Sequence, residues 1–98
     1  MKKEFDIADF VGVQSIQSIT EQLVEGEKQR RKKMNMSQKE LALKSGVSYA
    51  SVRRFESIGE ISLNSLLKIA NALDCLEDFN ILFKMSVVKN LKDYDMYD

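Results

Sequence analysis

The feature that most constrains this chain is a single glycine set between two short stretches of helical apolar spacing, Ser37 to Ser45 and Ser48 to Ser57. Gly46 permits a sharp reversal that a β-carbon would resist, Val47 can plug the inside of the corner, and Ala42 is small enough to let the two segments approach near a right angle. Each stretch carries its own start signal. Ser37-Gln38-Lys39-Glu40 has the reciprocal capping arrangement, in which a serine and a glutamate three residues later satisfy amide groups at a helix start, and Ser48 is a plain N-cap. Helical phase then separates inside from outside. With Val52 and Phe55 turned inward, the second stretch presents Ser48, Tyr49, Ala50, Arg53 and Arg54 on its opposite side, a set rich in hydrogen-bonding capacity and positive charge.

The same punctuation extends along the chain. Ser18-Ile19-Thr20-Glu21 and Asp74-Cys75-Leu76-Glu77 repeat the capping pattern, Ser62 is a further N-cap, and Asn35, Gly46 and Gly59 mark stops. These signals predict five helices at about 19–34, 38–45, 49–57, 63–73 and 75–83. The expected core is Leu41, Ala42, Val47, Val52, Phe55, Leu63, Leu66, Leu67, Ala70 and Leu73. In the fifth segment Leu76, Phe79, Leu82 and Phe83 recur at helical spacing and leave apolar surface that suits a partner. Residues 1–17 read as an N-terminal arm, 18–83 as the domain and 84–98 as a tail, with short strands conceivable around Phe5 to Val13 and Met85 to Val88.

Composition narrows the function. The 98 residues include no His, Pro or Trp and one Cys, which removes most parts of small catalytic and metal sites; no metal or other cofactor and no enzymatic activity is expected. No Gly-rich phosphate loop occurs, and the neighbours Glu77 and Asp78 point in different directions on a helix. Cys75 reads as a small apolar residue. No apolar run approaches the ~20 residues of a membrane span, and acids interrupt the N-terminal segment where a signal peptide would be apolar, so the expected location is the cytoplasm. Net charge is zero, yet from Glu27 to Arg54 nine bases face two acids. Screening over roughly 8 Å makes that local excess decisive, and it suits a polyanion.

At Ser37-Gln38-Lys39-Glu40-Leu41-Ala42-Leu43-Lys44-Ser45-Gly46-Val47-Ser48 the sequence resembles the helix-turn-helix of the Xre family, the repressors of the Cro/CI type. The likeness covers about Ile19 to Phe83 and continues through Phe55 to Leu73, while Leu76 to Phe83 is similar to a segment of the antitoxins that accompany HipA-type kinases. It implies an all-α, five-helix, λ-repressor-like domain, dimeric, whose third helix reads the major groove of double-stranded DNA, with Gln38 touching the backbone or an outer base.

The expected DNA-binding residues are Gln38, Ser48, Tyr49, Ala50, Ser51, Arg53, Arg54, Lys39 and Lys44. Arg53 and Arg54 suit guanine, since a guanidinium donates two hydrogen bonds to O6 and N7. Tyr49 and Ala50 could meet a thymine methyl or a sugar, and Lys28, Arg31, Lys32, Lys39 and Lys44 would contact phosphates. The expected function is a transcriptional repressor reading an inverted repeat. The alternative is an antitoxin that binds and neutralises a HipA-type kinase while regulating its own operon. Three residues depart from the family pattern: Glu27 and Arg30 stand where repressors often carry apolar residues, and Glu60 where they often place a base.

Overall fold

The computed structural model describes residues 13–84. Helix α1 spans Ile16–Lys33, α2 Gln38–Ser45, α3 Tyr49–Ile58 and α4 Leu63–Ala72, and a 3₁₀ helix follows at Leu76–Ile81. All five elements are helical and no strand occurs among the described residues, so the architecture is all-α as expected. Residues 1–12 and 85–98, which hold most of the expected arm and tail and the segments weighed as strands, lie outside the described residues.

Local chemistry sets the helix ends. Ser37, Ser48 and Ser62 cap α2, α3 and α4 by accepting from the amides of Glu40, Ser51 and Ser65. Gly46 and Gly59 close α2 and α3 in the left-handed region, at φ 80° and 77°. Any side chain at Gly59 would be doubly penalised, because a β-carbon there would lie 2.5 Å from Thr20 Cγ2 of α1.

Two boundaries differ from expectation. Helix α1 begins at Ile16 rather than 19, because Ser15 and Ser18 cap each other's backbone amides and leave Glu21 to accept from Gln17 instead. The fifth segment is a short 3₁₀ helix, not an α-helix over 75–83. Asp74 adopts φ 60° and Cys75 caps nothing with its side chain, so the capping pattern that starts at Asp74 is unused.

Helix α2 packs against both α3 and α4, α1 against α3, and the 3₁₀ helix against α4. The core gathers Leu41, Ala42, Val47, Val52, Ile69, Ala72 and Leu73, with Met34, Met36, Ile61 and Cys75 around it. Phe55 and Ala70 are buried as expected. Leu63 is not; it is 67% exposed, because the buried stripe of α4 starts a turn later, and Ile69 and Ala72 complete it. Leu66 and Leu67 are half-buried. Ile19 and Leu23 of α1, Leu66 of α4, and Phe79 and Leu82 line an open apolar groove of about 480 Å³. Burial pushes the Cys75 thiol pKa up at its edge.

Candidate nucleic-acid interface

The corner between α2 and α3 is built by backbone economy. Gly46 donates to Ala42, and the next amide, Val47, is taken by Ser45 Oγ at 3.2 Å while the Val47 side chain enters the core. The chain then re-enters a helix at Ser48, whose hydroxyl accepts from the Ser51 amide and bonds the Ser51 hydroxyl. Ser48 and Ser51 are thus first of all a helix cap.

Burial of Val52 and Phe55 turns the other side of α3 outward. Tyr49 lies there, 38% exposed, with Lys39 Nζ 5.4 Å from its ring centroid and Arg53 5.5 Å from it. An aromatic face between two cations holds both near one place at about 0.5–1 kcal/mol each. The structure therefore brings Lys39 of α2 and Arg53 of α3 together across the corner. Ala50 and Lys44 are exposed. Arg54 is exposed as well, but Glu60 accepts from its Nη2, so the acid that replaces a base in this loop lies against one of the expected readers.

Beneath this surface lies a buried polar knot. Arg31 of α1 donates from Nε and Nη2 to the two carboxylate oxygens of Glu56 on α3, both at 2.8 Å, and from Nη1 to Met36 O at 2.9 Å. Gln38 of α2 donates from Nε2 to Glu56 Oε1 at 2.9 Å. Glu27 completes the group. Its oxygens are buried, and Arg31 Nε is 4.0 Å away, beyond hydrogen-bond reach.

The two acids respond in opposite directions. Burial, followed by the neighbouring Glu56 carboxylate, raises the Glu27 pKa to about 8, which favours the protonated form at neutral pH. Burial alone would also raise Glu56, but the hydrogen bonds from Arg31 and Gln38 and the charge of Arg31 outweigh it and hold Glu56 at about 2. One guanidinium, one carboxylate and one amide thereby satisfy each other across three helices, with the Glu27 carboxyl buried beside them and hydrogen-bonded to none of them. Above the knot, Gln38, Glu56, Lys28, Ala50, Arg53 and Arg54 line an open polar depression of about 720 Å³ on the outer side of α3.

A helix-turn-helix family model matches residues 28–79 of the 98, from the end of α1 to the 3₁₀ helix. The chain belongs to the helix-turn-helix family. It is a DNA-binding regulator in the general sense of that family, with double-stranded DNA as its ligand. No curated protein and no solved structure matches it.

Within this helix-turn-helix domain one expected phosphate contact must be withdrawn. Arg31 is only 8% exposed and spends its guanidinium on Glu56 and Met36, so it holds the scaffold and does not reach a surface ligand. The departures at Glu27 and Arg30 also find their reasons. Glu27 is the neutral member of the buried knot, whereas Arg30 donates from Nε to Leu73 O at 2.8 Å and from Nη2 to Asp74 O at 3.3 Å, capping the end of α4. Glu56, which the sequence offers only as a surface partner for Arg53 or Arg54, is instead buried against Arg31 and Gln38. Its signal was present: Val52, Phe55 and Glu56 share one helical face, and Glu27 and Arg31 stand one turn apart. Among the described residues no helix is long and apolar enough to cross a membrane.

Proposed function

We propose that this protein is a cytoplasmic transcriptional repressor that binds an inverted repeat as a homodimer, without cofactor or enzymatic activity. Its DNA contacts are Gln38, Lys39, Lys44, Ser48, Tyr49, Ala50, Ser51, Arg53 and Arg54. One observation carries the reading: Lys39, Tyr49 and Arg53 cluster at the exposed side of α3, and Arg53 and Arg54 line a polar depression that shares no lining residue with the apolar groove. Arg53 reads a guanine edge, and Lys39 and Lys44 neutralise phosphates. A second copy covering the apolar groove sets two α3 helices about 34 Å apart, one turn of B-form DNA.

The same groove supports a second reading, in which the surface binds a HipA-type kinase and the protein acts chiefly as its antitoxin. Selection from random duplex DNA with the purified chain, alongside its mass in solution, separates the two. The repressor reading expects a palindromic motif and a dimeric mass. A monomer that enriches no motif at low salt overturns it and favours the antitoxin.

A further inference from the structure

We propose that self-association runs through α1, with two copies of this helix packed antiparallel so that Leu23 of each fills the notch left by Gly26 of the other. The inference rests on the homodimer reading above and names the surface that the second copy brings to the groove.

A glycine that the chain does not need for itself leads there. Gly26 lies in the middle of α1, where glycine weakens a helix relative to alanine. Its backbone is not in the left-handed region, and a β-carbon there would meet nothing within 4 Å among the described residues. Gly46 and Gly59, by contrast, each close a helix at positive φ. The remaining use for a missing side chain is close approach from outside, and Gly26 lines the apolar groove.

The same face carries the matching knob. Ile16, Ile19, Leu23 and Gly26 follow one another at alternating steps of three and four residues, the seam along which two helices interlock. The three apolar side chains on it are exposed, and Leu23 stands one turn from Gly26. A surface with one knob and one hole is complementary to itself about a two-fold axis, which makes the contact twice. Charge sets the direction. Exposed Glu21 and Glu25 precede Gly26, whereas exposed Arg30, Lys32 and Lys33 follow it, so antiparallel helices bring each acidic end beside the partner's basic end and parallel ones would bring like beside like. The fifth segment is only six residues of 3₁₀ helix, and its Phe79 and Leu82 form the opposite wall of the groove. Lys39, Tyr49 and Arg53 are not among the groove residues and stay uncovered.

The test is the dimer dissociation constant of the full chain, measured by sedimentation equilibrium. Gly26→Leu fills the notch and should weaken the dimer on the order of 10- to 100-fold. Leu23→Ala removes the knob and should weaken it on the order of 10-fold. The double variant exchanges knob and hole, and should dimerise about 10-fold more tightly than Gly26→Leu alone. Gly26→Ala should move two readouts in opposite directions: the folding equilibrium, measured at dilution where the chain is monomeric, shifts about 5-fold toward the native state, while the dimer weakens. Should Gly26→Leu not fold by circular dichroism, Gly26→Ala and Leu23→Ala decide together. The proposal is overturned by a dimer that a folded Gly26→Leu leaves unchanged, or by a double variant no tighter than Gly26→Leu. A loss of folding stability in Gly26→Ala also overturns it, since this chain's own residues would then occupy the notch. A wild-type chain that stays monomeric at every concentration sinks the homodimer reading itself, a distinguishable failure.

Discussion

Two places on α3 set an arginine against a glutamate, and the surroundings make them different devices. Between α1 and α3, Arg31 and Glu56 meet with side chains 9% and 2% exposed; past the end of α3, Arg54 and Glu60 meet at 62% and 63% exposure. The buried pair has lost its water and must satisfy itself, which it does through two parallel hydrogen bonds and the added donor Gln38. Water screens the exposed pair and competes for both partners. The same two residue types therefore act as a structural joint in one location and as an adjustable surface charge in the other.

The largest expected effect breaks the buried pair. Arg31→Met strands an ionised carboxylate in the interior and should cost about 3–5 kcal/mol of folding stability, read by chemical denaturation. A loss under about 1 kcal/mol would mean that Glu56 finds water, and the contrast between the two pairs would vanish.

Titration sharpens the contrast next. Glu56 ionises more easily in the folded chain than in the unfolded one, so its contribution is present above its ordinary value of 4.5 and is lost as pH falls toward 2. Glu27 behaves in reverse: the folded state keeps a proton that the unfolded chain has released, so stability falls as pH rises from 4.5 to about 8. Glu27→Gln retains a neutral hydrogen-bonding side chain and should remove that alkaline loss, which is at most about 1.4 kcal/mol per pH unit. Denaturation curves of the variant and wild type that keep a constant separation from pH 5 to pH 8 would show that Glu27 does not hold its proton.

The exposed pair should barely register in stability. Glu60→Gln is expected to shift unfolding by about 0.5 kcal/mol or less, yet to raise affinity for any duplex a few-fold and steepen its salt dependence, because it frees Arg54 and removes an acid beside the interface. Fluorescence anisotropy at several salt concentrations checks this. Unchanged affinity with unchanged slope would place Arg54 outside the DNA contact.

What could be read in advance follows the range of the interactions involved. Ser37 with Glu40, Ser48 with Ser51, and the glycines at 46 and 59 act within one helical turn, so their spacing alone marks where α2 and α3 begin and stop. The fifth helix failed on the same scale. A cap pattern at Asp74 and Glu77 was legible, but Asp74 took a left-handed backbone conformation after α4, which the pattern does not encode. Arg31 failed on a longer one. In sequence it is one of a run of four bases from Arg30 to Lys33, set apart only by Glu27 one turn before it, and the carboxylate that draws it into the interior, Glu56, stands 25 residues away.

Order along the chain was enough to establish the capped helices, the glycine corner and the cationic, outward side of α3, since each depends on neighbours a few residues away. Only packing decided that Glu27 would be neutral, that Glu56 would be a charged hub and that Gln38 would donate to it. The physical reason is that ionisation and hydrogen-bond choice depend on which groups lose water together, and here those groups come from α1, α2 and α3 at once.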